Sequence, residues 1–151
     1  MNETYMRLAI KQAKLAAEQG EVPVGAVVVK NGRVLAQAHN LCEQLADPTA
    51  HAELLAIRQA GQALGDWRLE GCFLYVTAEP CAMCAGAAIN ARISRIYFGT
   101  FEPNTGACGS TVNLFLQTDA RKTTDVYPGV LQAECQELLK DFFQKRRITS
   151  D

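Results

Sequence analysis

Apolar residues recur along this chain with two alternating periods. Between Tyr5 and Glu18, residues Met6, Leu8, Ala9, Ala13, Leu15, Ala16 and Ala17 fall near helical spacing with Lys and Glu between them. That pattern predicts an amphipathic helix ended by Gly20. Pro23 then opens an apolar, β-branched run to Val29. Asn31-Gly32 marks a hairpin turn, because both positions tolerate positive φ, and Arg33 to Ala38 forms the return strand. After an irregular stretch, Asp47-Pro48 reads as a helix start. Asp accepts the first free amides and Pro takes the first helical position, for a helix through His51, Leu54, Leu55 and Ile57 to about Leu64. Cys72 to Thr77 is a short buried strand, Pro80 opens a helix from Cys81 to about Asn90, and Ile93 to Gly99 is a further strand. Residues Thr100 to Ser110, rich in Gly, Asn, Pro and Thr, form a loop. Val112 to Leu116 is a short helical piece, Thr124 to Tyr127 a strand, and Leu131 to Arg147 a closing helix.

Helices alternating with strands after an opening hairpin predict α/β layering: a mixed sheet of about five strands, covered by helices on both faces. No repeat or Ser/Gly-rich linker divides the chain, and 151 residues suit one domain, so residues 1–151 are expected to fold as a single unit. Hydrophobic residues at 48% and charged residues at 21% place it with soluble globular chains rather than disordered ones. Fifteen basic against sixteen acidic side chains exclude a polycation that coats nucleic acid indiscriminately; any nucleic-acid partner must meet a local patch. The longest apolar run, Val24 to Val29, is far too short to span a bilayer, and no secretory signal pattern opens the chain. The expected setting is the cytosol, without a membrane partner. There the six cysteines are free or metal-bound rather than paired. Cys42, Cys72, Cys108 and Cys135 stand alone and read as packing or surface residues.

Cys81 and Cys84 differ, because they form a C-x-x-C pair at a helix start. Three apart on a helix, they share a face, and the helix dipole there favours thiolate. His51, at the start of another helix, would add an imidazole nitrogen. Two thiolates and one imidazole suit zinc, and three strong ligands rather than four leave a position for water, the mark of a catalytic site. A metal in such a site lowers the pKa of water from about 15.7 to roughly 7. Glu53 would then be the proton carrier, provided it remains unligated. Side chains two apart on a regular helix point to opposite sides, so His51 and Glu53 converge only if they sit in the first turn. Each element alone has an ordinary reading: His51 as a cap, the cysteines as a redox pair or structural metal site, Glu53 as a solvated helix residue. Taken together, H-x-E followed by P-C-x-x-C is the pattern of zinc-dependent base deaminases.

The chain resembles the cytidine deaminase superfamily, and within it the bacterial tRNA-specific adenosine deaminases, over nearly its whole length. The resemblance rests on Glu21-Val22-Pro23-Val24-Gly25-Ala26, Asn40, Asp47 through Glu53, and Tyr75 through Ala87. Downstream it rests on Thr105-Gly106, Gly109-Ser110, Gly129-Val130-Leu131, Asp141-Phe142-Phe143 and Arg146-Arg147. It implies a three-layer α/β/α cytidine deaminase-like fold, Zn2+ held by His51, Cys81 and Cys84, and Glu53 as proton shuttle. It also implies a homodimer, with a wobble adenosine in a tRNA anticodon stem-loop as the substrate converted to inosine. On the substrate side it implies Asn40, which otherwise reads as a turn residue after the second strand, together with Val24 and Ala52. The Val22 to Ala26 segment reads equally as an ordinary buried strand. Phe143 belongs to the aromatic and basic mix of the last helix, with Lys140, Lys145, Arg146 and Arg147. Those basic residues either meet phosphates or offset the helix dipole.

Two positions depart from the family. Arg121-Lys122 stand where members commonly carry Asn-His, and Glu102 stands where an Asp is usual. Neither touches the zinc elements. The first motivates an alternative, a deaminase of a free nucleobase or nucleoside of the cytosine, guanine or cytidine type. A third reading is a zinc-stabilised RNA-binding protein without turnover, which would have no use for Glu53. A base inside a stack cannot reach a buried metal, so an RNA substrate must offer a single-stranded or flipped base, as an anticodon loop does.

Overall fold

A computed structural model describes residues 2–116 and 124–149; Arg121 and Lys122 lie outside the described residues. Helix α1 (Asn2–Glu18) leads into the hairpin β1 (Gly25–Lys30) and β2 (Arg33–His39), followed by the short α2 (Cys42–Leu45) and by α3 (Ala52–Leu64). Then come β3 (Cys72–Ala78), α4 (Ala82–Asn90), β4 (Arg95–Thr100), a 3-10 turn at Leu114–Leu116, β5 (Asp125–Tyr127) and α5 (Gln132–Thr149). The five strands lie in the order β2-β1-β3-β4-β5. β1 runs antiparallel to β2 and β3, whereas β3, β4 and β5 run parallel. The mixed α/β sheet expected from the pattern is thus present. Asn31 (φ 51°) and Gly32 (φ 78°) make the hairpin turn with the left-handed backbone that Asn-Gly accepts at least cost.

Strand alternation sorts the core into two layers. Ala26, Val28, Leu74, Val76, Ile96 and Phe98 face one way, against Ala52, Ala56 and Ala60 of α3 and Ala88 of α4. Val27, Val29, Tyr75 and Tyr97 face the other, against Met6, Ala9 and Ile10 of α1 and Cys135 of α5. β1 is buried on both faces, which is why its sequence is an unbroken apolar run rather than an alternation. The last, three-residue strand is held by more than its ladder. Tyr75, Tyr97 and Tyr127 occupy one register position on β3, β4 and β5, and their rings stack at 4.8 and 5.0 Å. Each such pair adds about 0.5–1.5 kcal/mol beyond area burial.

Three expectations need correction. The irregular stretch after β2 contains α2, one turn too short to show a period. The helix placed at Asp47-Pro48 begins instead at Ala52, because Asp47 Oδ1 accepts Thr49 N–H (2.8 Å) and Thr49 Oγ1–H (2.7 Å), closing a tight turn of its own. Cys81, likewise, precedes α4 rather than starting inside it.

Close helix-to-sheet approach depends on one glycine. A Cβ on Gly25 would strike the carbonyl oxygen of Ala9 and lie 2.7 Å from Ala13 N, so α1 rests directly on the first residue of β1. Gly25→Ala should therefore lower stability by about 3 kcal/mol, or about 6–12 °C in Tm for a chain of this size. Thermal unfolding followed by circular dichroism checks it, and an unchanged Tm would show that α1 has room to move.

Candidate metal centre at two helix starts

α3 and α4 begin at the same end of the sheet, and each begins with a candidate ligand. His51 is the residue before α3 (φ −75°, ψ 148°) and Cys81 the residue before α4 (φ −75°, ψ 176°), both in extended backbone. An extended residue at a helix start directs its side chain away from the helical spiral. His51 can therefore turn to the same side as Glu53 in the first turn, and Cys81 to the same side as Cys84. The convergence that a regular helix would forbid is achieved here by a cap position. His51 Nδ1 lies 3.5 Å from Cys84 Sγ and 3.7 Å from Cys81 Sγ. All three atoms fall within 4.8 Å of one another.

Donor spacing tests whether a metal fits. Zinc with about 2.3 Å bonds to sulfur and 2.0–2.1 Å to nitrogen, at tetrahedral angles, sets its ligand atoms roughly 3.5–3.8 Å apart. The N···S distances match, and a borderline-soft donor set agrees in kind. Among the described residues this is the one group that could hold a metal ion, and Glu53 is not part of it. The second histidine, His39, is turned elsewhere, with its ring nitrogens 2.8 Å from Gln12 Oε1 and 3.0 Å from Gln19 Oε1.

Electrostatics favour one fixed thiolate. Hydrogen bonds from Cys84 and His51 bring the Cys81 thiol down to about 3, while the hydrogen bond to Cys81 raises the pKa of His51. Cys84 is pushed up by Cys81 and by burial, so its proton leaves only in exchange for a cation. Glu53 is 4% exposed, and desolvation raises its pKa above the ordinary carboxylate range.

A cavity of about 240 Å³ opens in front of these groups, walled by Val24, Asn40, His51, Glu53, Cys81 and Phe143. It is smaller than the roughly 300–1,000 Å³ of drug-sized pockets and suits a single ring system. Asn40 accepts Ala52 N–H at 2.8 Å through Oδ1, which fixes the side chain and leaves its amide NH2 for the cavity. Ala52 itself is fully buried; its contribution is that N–H, not a wall. Phe142 and Phe143 divide as their neighbouring positions suggest. Phe142 is half-buried beside Ala17 and Leu138, and Phe143 is 43% exposed at the cavity with Arg146.

Sequence reasoning missed two buried carboxylates that flank this cavity. Glu21 accepts the N–H groups of Glu43 and Gln44, both at 2.9 Å, and so caps α2 from a distance. Glu79 accepts N–H groups of Glu102, Cys108 and Ser110 at 3.0, 3.0 and 3.1 Å. Burial raises the pKa of Glu79, but those donors outweigh it and hold the carboxyl below its ordinary range. A charged residue beside Pro80 in an otherwise apolar strand end was the available signal.

Comparisons with known proteins point to deaminases. Residues 1–147 match the family of MafB19-like deaminases. The chain is 49% identical to the tRNA-specific adenosine deaminase of Bacillus subtilis, over 97% of its own length and 91% of the relative's. It is 44% identical to the enzyme of that name from Aquifex aeolicus, over 96% and 95%. Among solved structures, a tRNA:A34 deaminase studied for A-to-I editing at the wobble position superposes with a TM-score of 0.87 at 48% identity. That match covers 90% of this chain and 99% of the other. A guanine deaminase from Bacillus subtilis superposes with a TM-score of 0.64 at 32% identity, covering 78% and 86%.

With metal removed by a chelator, iodoacetamide should modify Cys81 first. Its thiol, down at about 3, is thiolate throughout pH 5–8, so its labelling rate should be flat across that range. Cys108 and Cys135, pushed up to about 12 by burial, should stay slow and accelerate about tenfold per pH unit. Peptide mass mapping reads the order, and labelling of Cys84 ahead of Cys81 would reverse the assignment of the thiolate.

Proposed function

The chain belongs to the MafB19-like deaminase family, and we propose that it converts adenosine to inosine at the wobble position of tRNA anticodon loops by hydrolytic deamination. The observation that carries the reading is the pairing of a His51–Cys81–Cys84 cluster with a buried Glu53, outside that cluster, at a cavity sized for one base. Zinc is the proposed metal, with those three residues as its ligands. When bound, it supplies the Lewis acidity that makes water nucleophilic near neutral pH. Residues 1–151 act as one unit in this reading, in the cytoplasm; no helix among the described residues is long and apolar enough to cross a membrane.

Glu53 performs the proton work. It takes a proton from the attacking water as the water oxygen adds to C6 of adenine, and gives that proton to N1 of the ring. It then carries a second proton, from the added oxygen, to the exocyclic amine, which leaves as ammonia while the C6 carbonyl of inosine forms. Burial serves this role, because a raised pKa makes the carboxylate a better base toward the attacking water and keeps the proton on the carboxyl until the ring nitrogen takes it. Asn40, held by Ala52 N–H, orients the base through its amide, and Val24 packs against the ring. Phe143 stacks on a neighbouring base of the loop, with Arg146 beside it. Single-stranded RNA is needed, since the cavity admits only a base turned out of its stack.

A homodimer is the proposed assembly. Val112 and Leu116 are exposed apolar side chains at the 3-10 turn that packs on α4, whose Met83 is also exposed. Together they form the surface that a second copy would cover.

Two measurements test the reading. Wild-type protein incubated with a tRNA anticodon stem-loop should produce inosine, read as guanosine on sequencing, while free adenosine, cytidine and guanine release little ammonia. Conversion of the free compounds but not the stem-loop would favour a nucleobase deaminase instead. Bound RNA with a full metal site and no product would favour a binding protein. Glu53→Gln should keep its metal yet lose turnover by about 10²–10⁴ or more. Loss of metal in that variant would move Glu53 into the ligand set.

A further inference from the structure

We propose that Glu79 is a positioning residue for the loop 102–110, and through that loop for Glu102 and Thr105 at the cavity mouth. The proposal rests on the deaminase reading for its substrate and on the structure alone for the loop. Glu79 ends the β3 connection one residue before Pro80, and its N–H donates to Thr100 O at 2.8 Å where β4 finishes. Its carboxylate is 3% exposed and belongs to no ion pair among the described residues. Four donors converge on it instead. Oε1 accepts Glu102 N–H and the Ser110 hydroxyl, and Oε2 accepts Cys108 N–H and Ser110 N–H. Three are backbone amides from the two ends of one loop, so a single charge closes that loop around itself.

Gly106 shows how tightly the loop wraps the carboxylate. A Cβ built there would fall onto Cδ and both oxygens of Glu79. Its φ lies outside the left-handed region, so space, not backbone conformation, excludes a side chain. Gly106 also bridges to Cys81, and Ala107 N–H donates to Pro80 O at 2.8 Å. The loop is therefore fastened to the segment that carries a proposed ligand. The fastened residues include two that line the cavity, Glu102 and Thr105, which lie within hydrogen-bond distance of each other at 3.4 Å. Glu79 borders the cavity as well, but the mechanism gives it no proton to move, and its carboxylate oxygens are taken up by the loop's donors. Its place, wrapped by four donors, assigns it to shaping one wall of the cavity.

Glu79→Gln tests this, because an amide offers one acceptor oxygen and turns an NH2 toward donors that have nowhere else to go. Gly106→Ala attacks the same contact from the loop side. In the zinc-loaded full-length protein, both should speed hydrogen exchange at the Cys108 and Ser110 amides by about tenfold to a hundredfold. Both should raise KM for the anticodon stem-loop about tenfold and leave kcat within about threefold, since uniform binding rather than chemistry is lost. Metal content should be unchanged, and the double variant should be no worse than either single one. Native exchange at those amides, or an unchanged KM, would overturn the proposal. So would loss of metal with a fall in kcat, which would make Glu79 a support for Cys81 instead. If Glu79→Gln does not fold, Ser110→Ala removes one donor and should give a smaller change of the same sign. A wild-type protein that makes no inosine would defeat the deaminase reading and leave the exchange result standing.

Discussion

Two helices that begin within one metal ion's reach of each other are the constraint on which the rest depends. α3 and α4 both start at one end of the sheet, and both start from an extended residue that carries a donor atom, His51 and Cys81. Helix starts leave backbone amides unpaired and carry partial positive charge, so each stabilises a thiolate or a developing oxyanion without a formal cation. Bringing two together adds that effect to the hydrogen bonds from Cys84 and His51 that lower the Cys81 thiol. For the two starts to meet, β3 must hand its chain directly into α4. The short Glu79-Pro80-Cys81 connection does so.

Polarity is distributed accordingly. The buried polar side chains among the described residues are Glu21, Asn40, Glu53, Thr77, Glu79 and Thr100. They fall around the start of β1, the end of β2, the ends of β3 and β4, and the start of α3, which is one end of the molecule. The interior on both sheet faces is apolar, with alanines on α3 and α4 where the helices press closest. Desolvating a carboxylate costs several kcal/mol unless donors replace its water. Glu21 and Glu79 meet that requirement with backbone amides, while Glu53 does so less fully and carries a raised pKa as a result. Structural and working carboxylates in this site are therefore distinguished by their donors, not by their depth.

Much of this was legible in the sequence, for physical reasons that can be named. The hairpin was readable because Asn31-Gly32 has one good conformation, and α1 and α5 because they are long enough for a period to accumulate. His51, Cys81, Cys84 and Glu53 were readable because side-chain chemistry at fixed spacing is local information. The start of α3 was misplaced because Asp47 has two ways to spend its carboxylate, and the turn through Thr49 won over the helix amides. α2 escaped because four residues give no periodicity. Glu21 and Glu79 escaped because their donors are backbone amides 22 to 31 residues away, and a backbone amide has no letter in a sequence.

That last distinction bears on specificity as well as on folding. His51, Cys81, Cys84 and Glu53 announce themselves by type and spacing. The shape of the cavity is decided elsewhere, by how α2 and the loop 102–110 are pinned on either side of it. One is a single helical turn and the other a loop, both are held by a buried carboxylate through amide hydrogen bonds, and neither has a core of its own to define its place. A substitution in either segment can leave the reaction intact while changing what reaches it. Substrate choice should thus follow the anchoring of these two walls more closely than the identity of His51, Cys81 and Cys84.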